Sequence, residues 1–494
     1  MKRLLIALCC ICLLFVCSCG EKAQPEQPSG SKSETDSTPV TDADPFLAGP
    51  DYRGAQVRVH VRGDQESVDE LGTESNGELL SEALWSRTEA TQKRLNVQIV
   101  PVIGEPYSSY NKSLNEIRMS VNVGFGAYDL IAGWSTRIVT LMTEGLYLNL
   151  DEQQYYSSDD PWWSRSVTNA LTIGGKIYMN TGDIAATYMD SCYAVIINQA
   201  VSEKFGYRYD DFYEIVNSGD WTMEYFSQLV RDSYSDDGDG VRNDKDLYGL
   251  VCSYLAADAF WSSCDISIIE NNGTDHPTLN FNTARIQRAA ESVHSLFYGN
   301  IGAEVGQNGS TIFTSAEDLS AAFMQDRAMF TIVVLKDLKD FSAMKTVYGV
   351  LPVPKLDHDQ DEYRTNVQQS MSLWGIPKDA KDPTMSAAVL TSLGSDSRDI
   401  VIEPHYYKLL RTRYVKDSTS GYMIDLIYNG IYMNFDTLFN EALGESVSAS
   451  DRPSMPAFIF RCMGRDTTPN MEGWWSTYSE GLQKRLLDIC SALM

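Results

Sequence analysis

Within the first 100 residues, the spacing of the hydrophobic residues changes from that of a strand to that of a helix and back to that of a strand. This pattern constrains the fold more than any other feature. Residues 56–62 alternate strictly between valine and polar side chains, which predicts a strand with one buried face. Apolar and small residues then recur at steps of three and four over residues 77–95, which predicts a helix that ends at Asn96. Another short apolar run at residues 97–100 predicts a second strand. A strand, a helix and a strand in this order form the unit of a parallel sheet.

The same alternation of elements continues as far as residue 145. Residues 114–123 and 137–145 have helical spacing, and residues 128–132 between them form a short apolar run that is typical of a buried strand. The predicted fold class is therefore α/β. With 494 residues, the chain is too long for one ordinary domain and suits two or three.

The N-terminus has the features of an export signal. A basic start at residues 1–3 precedes an apolar run over residues 4–16, which is too short to be a stable membrane anchor. The Val-Cys-Ser-Cys-Gly sequence at residues 16–20 resembles the lipobox of bacterial lipoproteins. This resemblance implies that residues 1–18 are a signal peptide and that acyl chains on Cys19 hold the protein on the extracellular face of the bacterial cell membrane. The alternatives are an ordinary secretory signal and an uncleaved anchor.

A polar segment separates this leader from the folded chain. Residues 21–45 are rich in Ser, Thr, Pro and acidic residues and have almost no large apolar side chain. Such a segment cannot bury enough surface to fold, so we expect residues 19–51 to be a flexible tether.

Composition excludes several kinds of partner and cofactor. The chain has 40 Lys and Arg against 67 Asp and Glu, and this net charge of −27 disfavours binding to nucleic acid. Half of the ten cysteines lie in the leader, and no CxxC follows it, so neither a zinc site nor a disulfide framework is expected. A local disulfide between Cys252 and Cys264 is retained as an alternative, and buried free thiols are favoured.

A series of short fragments follows in a fixed order along the chain. They are Gly126–Ala132, Gly145–Asp151, Gly174–Tyr178, Tyr193–Asn198, Gly219–Thr222, Ala322–Met329, Tyr348–Pro354 and Trp374–Ala380. Together they resemble the extracellular solute-binding proteins of ABC importers, and most of all the maltose-binding-like, sugar-specific branch. Each fragment alone is a weak signal, but their common order argues against chance. The resemblance covers most of the mature chain and fades after about Ser420.

The resemblance implies a periplasmic-binding-protein-like fold of type II, in which hinge segments join two α/β lobes and a ligand cleft lies between the lobes. The first lobe would comprise residues 52–187 and 372–416. The second lobe would comprise residues 188–371 and 417–494. Independently of the family, open α/β sheets bind ligands at the carboxyl ends of their strands, and clefts between lobes close around a ligand by hinge motion.

The implied function is capture of a carbohydrate, an oligosaccharide in the first place, and its unaltered delivery to an ABC permease. The protein would be a monomer that requires no cofactor and contacts the permease transiently. Two other classes stay open, namely a surface glycan-binding or sensor protein that is not coupled to transport, and a glycoside hydrolase. No HExxH, GxSxG, P-loop or GxGxxG motif occurs, and the order of the fragments also argues against an enzyme.

Ligand contacts are predicted at ring and polar side chains near strand ends and hinges. A sugar presents hydroxyls at its rim and C–H groups on its faces, which aromatic rings, carboxylates, amides and Arg complement. Trp134 and Arg137 follow a predicted buried strand, and Arg137 can either bond hydroxyls or pair with an anionic sugar substituent. Tyr188 and Asp190 lie at the expected first hinge, and Trp374 lies after the second crossover. The alternative is core packing for the rings and a solvated loop charge for Asp190.

An acidic loop at residues 235–246 resembles the calcium-binding loop of an EF-hand. That loop needs oxygen ligands at positions 1, 3, 5, 7, 9 and 12 and a glycine at position 6. A structural Ca²⁺ is therefore a hypothesis, and its alternative is an acidic surface turn. The predicted ligands are Ser235, Asp237, Asp239, Val241 through its carbonyl, Asn243 and Asp246.

Overall fold

The computed structural model describes residues 50–273, 276–306, 312–406, 408, 418–445 and 453–494. The predicted signal peptide, the modified Cys19 and nearly all of the predicted tether lie outside the described residues. Within the described ranges, no helix has both the length and the hydrophobicity that a membrane crossing requires.

Strands and helices alternate along most of the described chain. The strands are β1 (Ala55–Val61), β2 (Val97–Ile103), β3 (Leu130–Trp134), β4 (Met179–Asn180), β5 (Tyr193–Asn198), β6 (Tyr248–Ser253), β7 (Ile269–Glu270), β8 (Thr278–Leu279), β9 (Ala303–Gly306), β10 (Ala328–Val334), β11 (Tyr348–Leu351) and β12 (Ser372–Gly375). The α-helices are α1 (Gln65–Leu71), α2 (Leu79–Leu95), α3 (Asn111–Val123), α4 (Ser135–Thr143), α5 (Arg165–Leu171), α6 (Ala186–Asp190), α7 (Gln199–Lys204), α8 (Tyr209–Asn217), α9 (Met223–Asp232), α10 (Ala259–Ser263), α11 (Thr283–His294), α12 (Ala316–Met324), α13 (Pro383–Ser397), α14 (Ser418–Asn429), α15 (Phe435–Leu438), α16 (Asn440–Leu443) and α17 (Met471–Leu493).

The first sheet confirms the predicted strand–helix–strand unit. Strands β1 and β2 pair in parallel, and the helix between them ends at Asn96, whose φ of 49° is the left-handed conformation that closes a helix. The strand order is β2-β1-β3-β12-β4, and β12 is antiparallel to both of its neighbours. The expectation that only one face of β1 is buried is wrong near its C-terminal end, since His60 on the other face is also buried. Strands that are covered on both faces are typical of parallel sheets.

The second sheet has the strand order β11-β5-β10-β6-β9. Strand β5 is buried along its whole length and is antiparallel to both β10 and β11, whereas β6 is parallel to β9 and β10. The first sheet with α1–α5 and α13 forms the first lobe, and the second sheet with α7–α12 and α14 forms the second lobe. Two separate sheets flanked by helices confirm the predicted α/β, two-lobe fold.

Within the described residues, the chain changes lobe three times. It leaves the first lobe after β4, returns to it at β12, and is in the second lobe again at α14. The first two passages pair with each other, because the Tyr193 N–H donates to the Asn366 carbonyl at 3.1 Å and the Gln368 N–H donates to the Ser191 carbonyl at 2.8 Å. These paired strands of backbone form the floor between the lobes.

The C-terminal segment, residues 431–494, contacts both lobes. On the side of the second lobe, the Ile268 N–H donates to a carboxylate oxygen of Asp436 at 2.7 Å. On the side of the first lobe, the Tyr178 hydroxyl donates to the carbonyl of Leu493 at 2.9 Å, and the Thr136 hydroxyl donates to Glu441 at 3.1 Å. This segment was assigned from the sequence to the second lobe, and the structure shows that it also contacts the first lobe.

None of the five cysteines that follow the leader, all of which lie in the described residues, forms a disulfide. Cys252 and Cys264 are both buried and do not bridge, so the open alternative of a local disulfide is not realised. Burial raises the pKa of both thiols, which keeps them protonated and unreactive.

Candidate functional site

A cavity of about 430 Å³ lies between the two lobes. This volume is within the range of small-molecule pockets in proteins. Side chains of both lobes, of the passage that precedes β12 and of the C-terminal segment line it. We call this cavity the cleft.

On the side of the first lobe, the cleft is built around Trp134, the last residue of β3. Its ring lies against that of Tyr107, with centroids 4.4 Å apart and planes inclined at 37°. The guanidinium carbons of Arg137 and Arg62 lie 5.1 Å and 5.9 Å from the Trp134 ring, within the range of cation–π contacts. The Trp134 indole N–H is buried and has no hydrogen-bond partner among the described residues.

Arg62 anchors the loop that follows β1. Its side chain is almost fully buried and forms ion pairs with Asp64 at 2.5 Å and with Glu66 at 3.3 Å. A third contact runs to the passage before β12, where Arg62 donates to the carbonyl of Ser370 at 2.9 Å. Glu66 in turn lies 3.4 Å from Lys336 of the second lobe, so an ion pair joins the two lobes at this place.

Two further arginines of the cleft are also paired with carboxylates. The Nε of Arg137 lies 2.8 Å from an oxygen of Glu441, whose other oxygen accepts the hydroxyl of Thr136 at 3.1 Å. On the opposite side, Arg461 faces Asp258 with two nitrogens and donates from Nε at 2.7 Å. Three arginines and four carboxylates thus line the cleft, and their charges nearly cancel.

On the side of the second lobe, aromatic rings line the cleft. Tyr193, the first residue of β5, donates from its hydroxyl to the Leu255 carbonyl at 3.5 Å, and Tyr254 lies beside it in a short 3-10 helix. Burial raises the pKa of Tyr193, so its hydroxyl stays neutral. The Arg461 guanidinium lies 3.6 Å from the ring centre of Phe458. Burial lowers the pKa of Arg461 from its ordinary value, which is far enough above neutrality for the charge to persist.

The passage before β12 supplies amides at the floor of the cleft. Gln368, Gln369 and Ser370 all line the cavity. Their backbone is fixed, because Gln368 pairs with Ser191 and the Ser135 hydroxyl donates to the Gln369 carbonyl at 2.6 Å. Rings on two sides, amides below and mutually neutralised charges suit a ligand with apolar faces and many hydroxyls.

Of the five residues predicted to contact ligand, two line this cleft and three do not. Trp134 and Arg137 are both in its lining, and Arg137 is already paired with Glu441. Trp374 lies fully buried in β12 between β3 and β4, which corresponds to its core-packing alternative. Asp190 ends α6 and is not among the lining residues.

Tyr188 lies on a different surface. It is buried in α6, and its hydroxyl is 2.6 Å from the Ser164 hydroxyl. It lines a smaller cavity of about 200 Å³ together with Trp163, Asp183 and Tyr428. No contact between Tyr188 and the cleft is found among the described residues.

Several residues of the cleft were not predicted from the sequence. The pair Arg62 and Asp64 directly follows β1, so the strand-end rule that selected Trp134 would also have found it. Asp258, Glu441 and Arg461 come from a short helix start and from the C-terminal segment. Neither the residue spacing nor the family resemblance, which fades after about residue 420, gives a signal there.

The acidic loop folds largely around its own hydrogen bonds. Asp237 and Asp239 come together with Asp236, which was not in the predicted set, and ligand oxygens of the three lie within 4.8 Å of one another. Asp246 is fully buried and accepts from the Asn243 N–H and the Asp237 N–H, both at 3.1 Å. The remaining predicted ligands also act within the loop: the Ser235 backbone pairs with Leu247, and the Val241 carbonyl accepts from Asn243. The loop thus satisfies much of its own ligand set, and calcium binding stays a prediction.

Comparisons with known proteins agree on the fold. No protein-family model matches the chain, and no curated protein matches its sequence. Solved structures do match over most of the chain. An ABC substrate-binding protein of Listeria monocytogenes in complex with cycloalternan has 11% identity, covers 87% of this chain and 98% of its own, and has a TM-score of 0.51.

Two further structures give the same result. The acarbose-binding GacH receptor of Streptomyces glaucescens has 13% identity, covers 87% of this chain and 99% of its own, and has a TM-score of 0.51. The maltose/maltodextrin-binding domain MalE of Bdellovibrio bacteriovorus, bound to maltotriose, has 13% identity, covers 88% of this chain and 100% of its own, and has a TM-score of 0.50. The chain therefore has the two-lobe fold of these ABC substrate-binding proteins, as the sequence predicts.

Proposed function

We propose that this protein is the substrate-binding component of an ABC importer, which captures a carbohydrate between its lobes and releases it unaltered. The observation that carries the proposal is the cleft itself. Its lining includes Trp134 of the first lobe, Tyr193 and Tyr254 of the second lobe, and Gln368 and Gln369 of the passage that precedes β12. Rings and neutral donors in this arrangement complement the faces and hydroxyls of a sugar.

The shared fold supports the same function. The structures with this fold include proteins that bind cycloalternan, acarbose and maltotriose. Passages that connect the lobes allow hinge closure around a ligand, which is how two-lobed binding proteins work. An oligosaccharide is the ligand class that agrees with both the fold and the chemistry of the cleft.

Ligand binding tests the proposal directly. We expect one or more neutral oligosaccharides to raise the melting temperature of the protein, because a ligand that binds only the folded state stabilises it. Trp134→Ala should weaken calorimetric affinity by about tenfold or more, since an aromatic ring at the centre of an interface contributes strongly to binding. Trp85→Ala is the matched control, since Trp85 is an exposed ring on α2 and is not among the residues that line the cleft.

Two results would contradict the proposal. One is a sugar panel, including maltotriose and cellobiose, in which no member stabilises the wild-type protein. The other is recovery of cleaved sugar at enzyme-like rates after incubation, which would favour a glycoside hydrolase. Unchanged sugar in the recovered ligand agrees with a binding protein.

The same proposal includes a location and a partner. The lipobox resemblance at residues 16–20 supports a lipid anchor on Cys19 at the extracellular face of the cell membrane. A tether of residues 19–51 leaves the folded chain free to dock transiently, as a monomer, on permease subunits.

A further inference from the structure

The arginines of the cleft have carboxylate partners within the protein. The carboxylate of Asp258 contacts two nitrogens of Arg461. The side chain of Asp258 is only 8% exposed and that of Arg461 only 14%. Glu441 pairs with Arg137 and is 6% exposed. An arginine that is to hold an anionic ligand group needs its fork of donors free for bidentate contact. In this cleft the protein supplies the anion itself.

We propose that Glu441 and Asp258 are specificity-determining residues, which pair with Arg137 and Arg461 in advance and thereby select uncharged sugars over acidic ones. This inference rests on the proposed function, since it concerns the class of sugar that the cleft takes.

The geometry of Glu441 supports this role. Both of its oxygens have partners, one in Arg137 at 2.8 Å and one in the Thr136 hydroxyl at 3.1 Å. It lies on α16, so the C-terminal segment carries a carboxylate to an arginine of the first lobe. Glu441 lies at Nε of Arg137 and Nη1 of Arg137 donates to Asn111 at 3.2 Å, so a ligand carboxylate near Arg137 would meet a partly engaged guanidinium and lie beside a second negative charge.

Asp258 has the same role on the opposite side of the cleft. It directly precedes α10 in the second lobe. Arg461 of the C-terminal segment donates from Nε to a carboxylate oxygen of Asp258 at 2.7 Å. The third arginine, Arg62, is held by Asp64 and also by the Ser370 carbonyl. An acidic sugar therefore meets a paired arginine on each side.

The groups left for a ligand are uncharged. Trp134, Gln368 and Gln369 line the cavity, and the Gln368 side-chain oxygen accepts the Ser370 hydroxyl at 3.0 Å. These groups and the rings bind hydroxyls and sugar faces, and they offer no full charge to compensate a carboxylate or sulfate group.

The test measures the affinity of three variants for a neutral and an acidic probe, maltotriose and digalacturonic acid, by calorimetry. Glu441→Gln frees Arg137, so we expect the affinity for digalacturonic acid to rise by about tenfold or more, in keeping with the strength of a charged hydrogen bond. Asp258→Asn frees Arg461 on the other side and should act in the same direction. Glu472→Gln, at an exposed position on α17, changes the net charge equally and should leave both affinities unchanged.

A double variant separates specificity from general charge. Arg137→Gln combined with Glu441→Gln removes the freed cation, so the gain for digalacturonic acid should disappear. A melting curve of each variant checks that it folds, and Asp258→Asn provides the test if Glu441→Gln does not fold.

The inference is overturned if wild-type protein binds digalacturonic acid as tightly as any neutral sugar, or if neither folded single variant gains affinity for it. If the variants gain affinity for the acid although wild-type protein binds no neutral sugar, the exclusion of acidic ligands by Glu441 and Asp258 stands and the proposed ligand class fails. The two failures are therefore distinguishable.

Discussion

Asp436 provides a quantitative test of how the C-terminal segment is held. It lies in α15 with no exposed surface, and its carboxylate accepts the Ile268 N–H of the second lobe at 2.7 Å. Burial raises the pKa of Asp436 from 3.8 to about 7, because the charged form loses its hydration. The folded protein therefore keeps this proton over a pH range in which the unfolded chain has lost it.

The sign of the effect on stability follows from this difference. Between pH 3.8 and about 7 the folded state binds more protons than the unfolded state, so the free energy of unfolding falls as the pH rises. A pKa difference of about three corresponds to about 4 kcal/mol, at about 1.4 kcal/mol for each pKa unit. Below this range the contribution is fully present, and above it the loss is complete.

Asp436→Asn removes the titration and keeps the contact. The amide oxygen still accepts the Ile268 N–H, and the side chain is neutral at every pH. The stability of the variant relative to wild type should therefore rise by about 3 kcal/mol from pH 4.5 to pH 8. Urea titrations monitored by tryptophan fluorescence give this difference in stability. The contributions of the other titrating groups cancel in it, because both proteins contain them.

Asp488→Asn is the matched control, since Asp488 is exposed on α17. The same urea titrations of this variant show the effect of removing one exposed carboxylate. A difference between Asp436→Asn and wild type that is constant from pH 4.5 to pH 8 would refute the reasoning, because it would show that burial does not hold this carboxyl neutral.

Three other measurements test separate parts of the molecule. Burial lowers the pKa of His60 from 6.5 to about 4, so the free energy of unfolding of the wild-type protein should fall by up to about 3 kcal/mol as the pH falls through this range. The His60→Phe variant should lose less stability over the same range. Equal losses for the two proteins in urea titrations would contradict this prediction. Cys19→Ala should move the protein from the membrane fraction to the soluble fraction, and wild-type protein that is already soluble would refute the lipid anchor. Calcium should raise the melting temperature relative to chelator, and Asp237→Asn should abolish the rise; identical melting temperatures with calcium and with chelator would reject the ion.

Local pattern predicted the first lobe because its early elements are neighbours in sequence. The alternation in β1, the helical spacing of α2 and the stop at Asn96 each depend on residues close to one another. The position of β12 does not, since a short strand pairs with β3 and β4 only through contacts from distant parts of the chain. Its assignment to the first lobe, within residues 372–416, came from the family resemblance and not from its own residues.

The residues of the cleft were also predictable only where a local sequence pattern marks them. Trp134 and Arg137 follow a strand end, and a strand end points to one edge of a sheet. Trp374 is also a tryptophan near a predicted crossover, but the face of the sheet on which a strand residue lies depends on the register of the strand. In this structure Trp374 lies in the core. Glu441 and Arg461 reach the cleft from a segment without a repeating pattern, so only three-dimensional contacts bring them to Arg137 and Asp258.

The placement of β12 also has a consequence for biosynthesis. Strand β4 pairs only with β12 in the first sheet, so that sheet cannot be completed until residue 375 has emerged from the ribosome. The five strands of the second sheet, β5 to β11, are all translated before that moment. A nascent chain folds in the order in which its units become complete. The sheet whose translation starts first is thus the one that is completed last, and β3 keeps an unpaired edge until β12 is available.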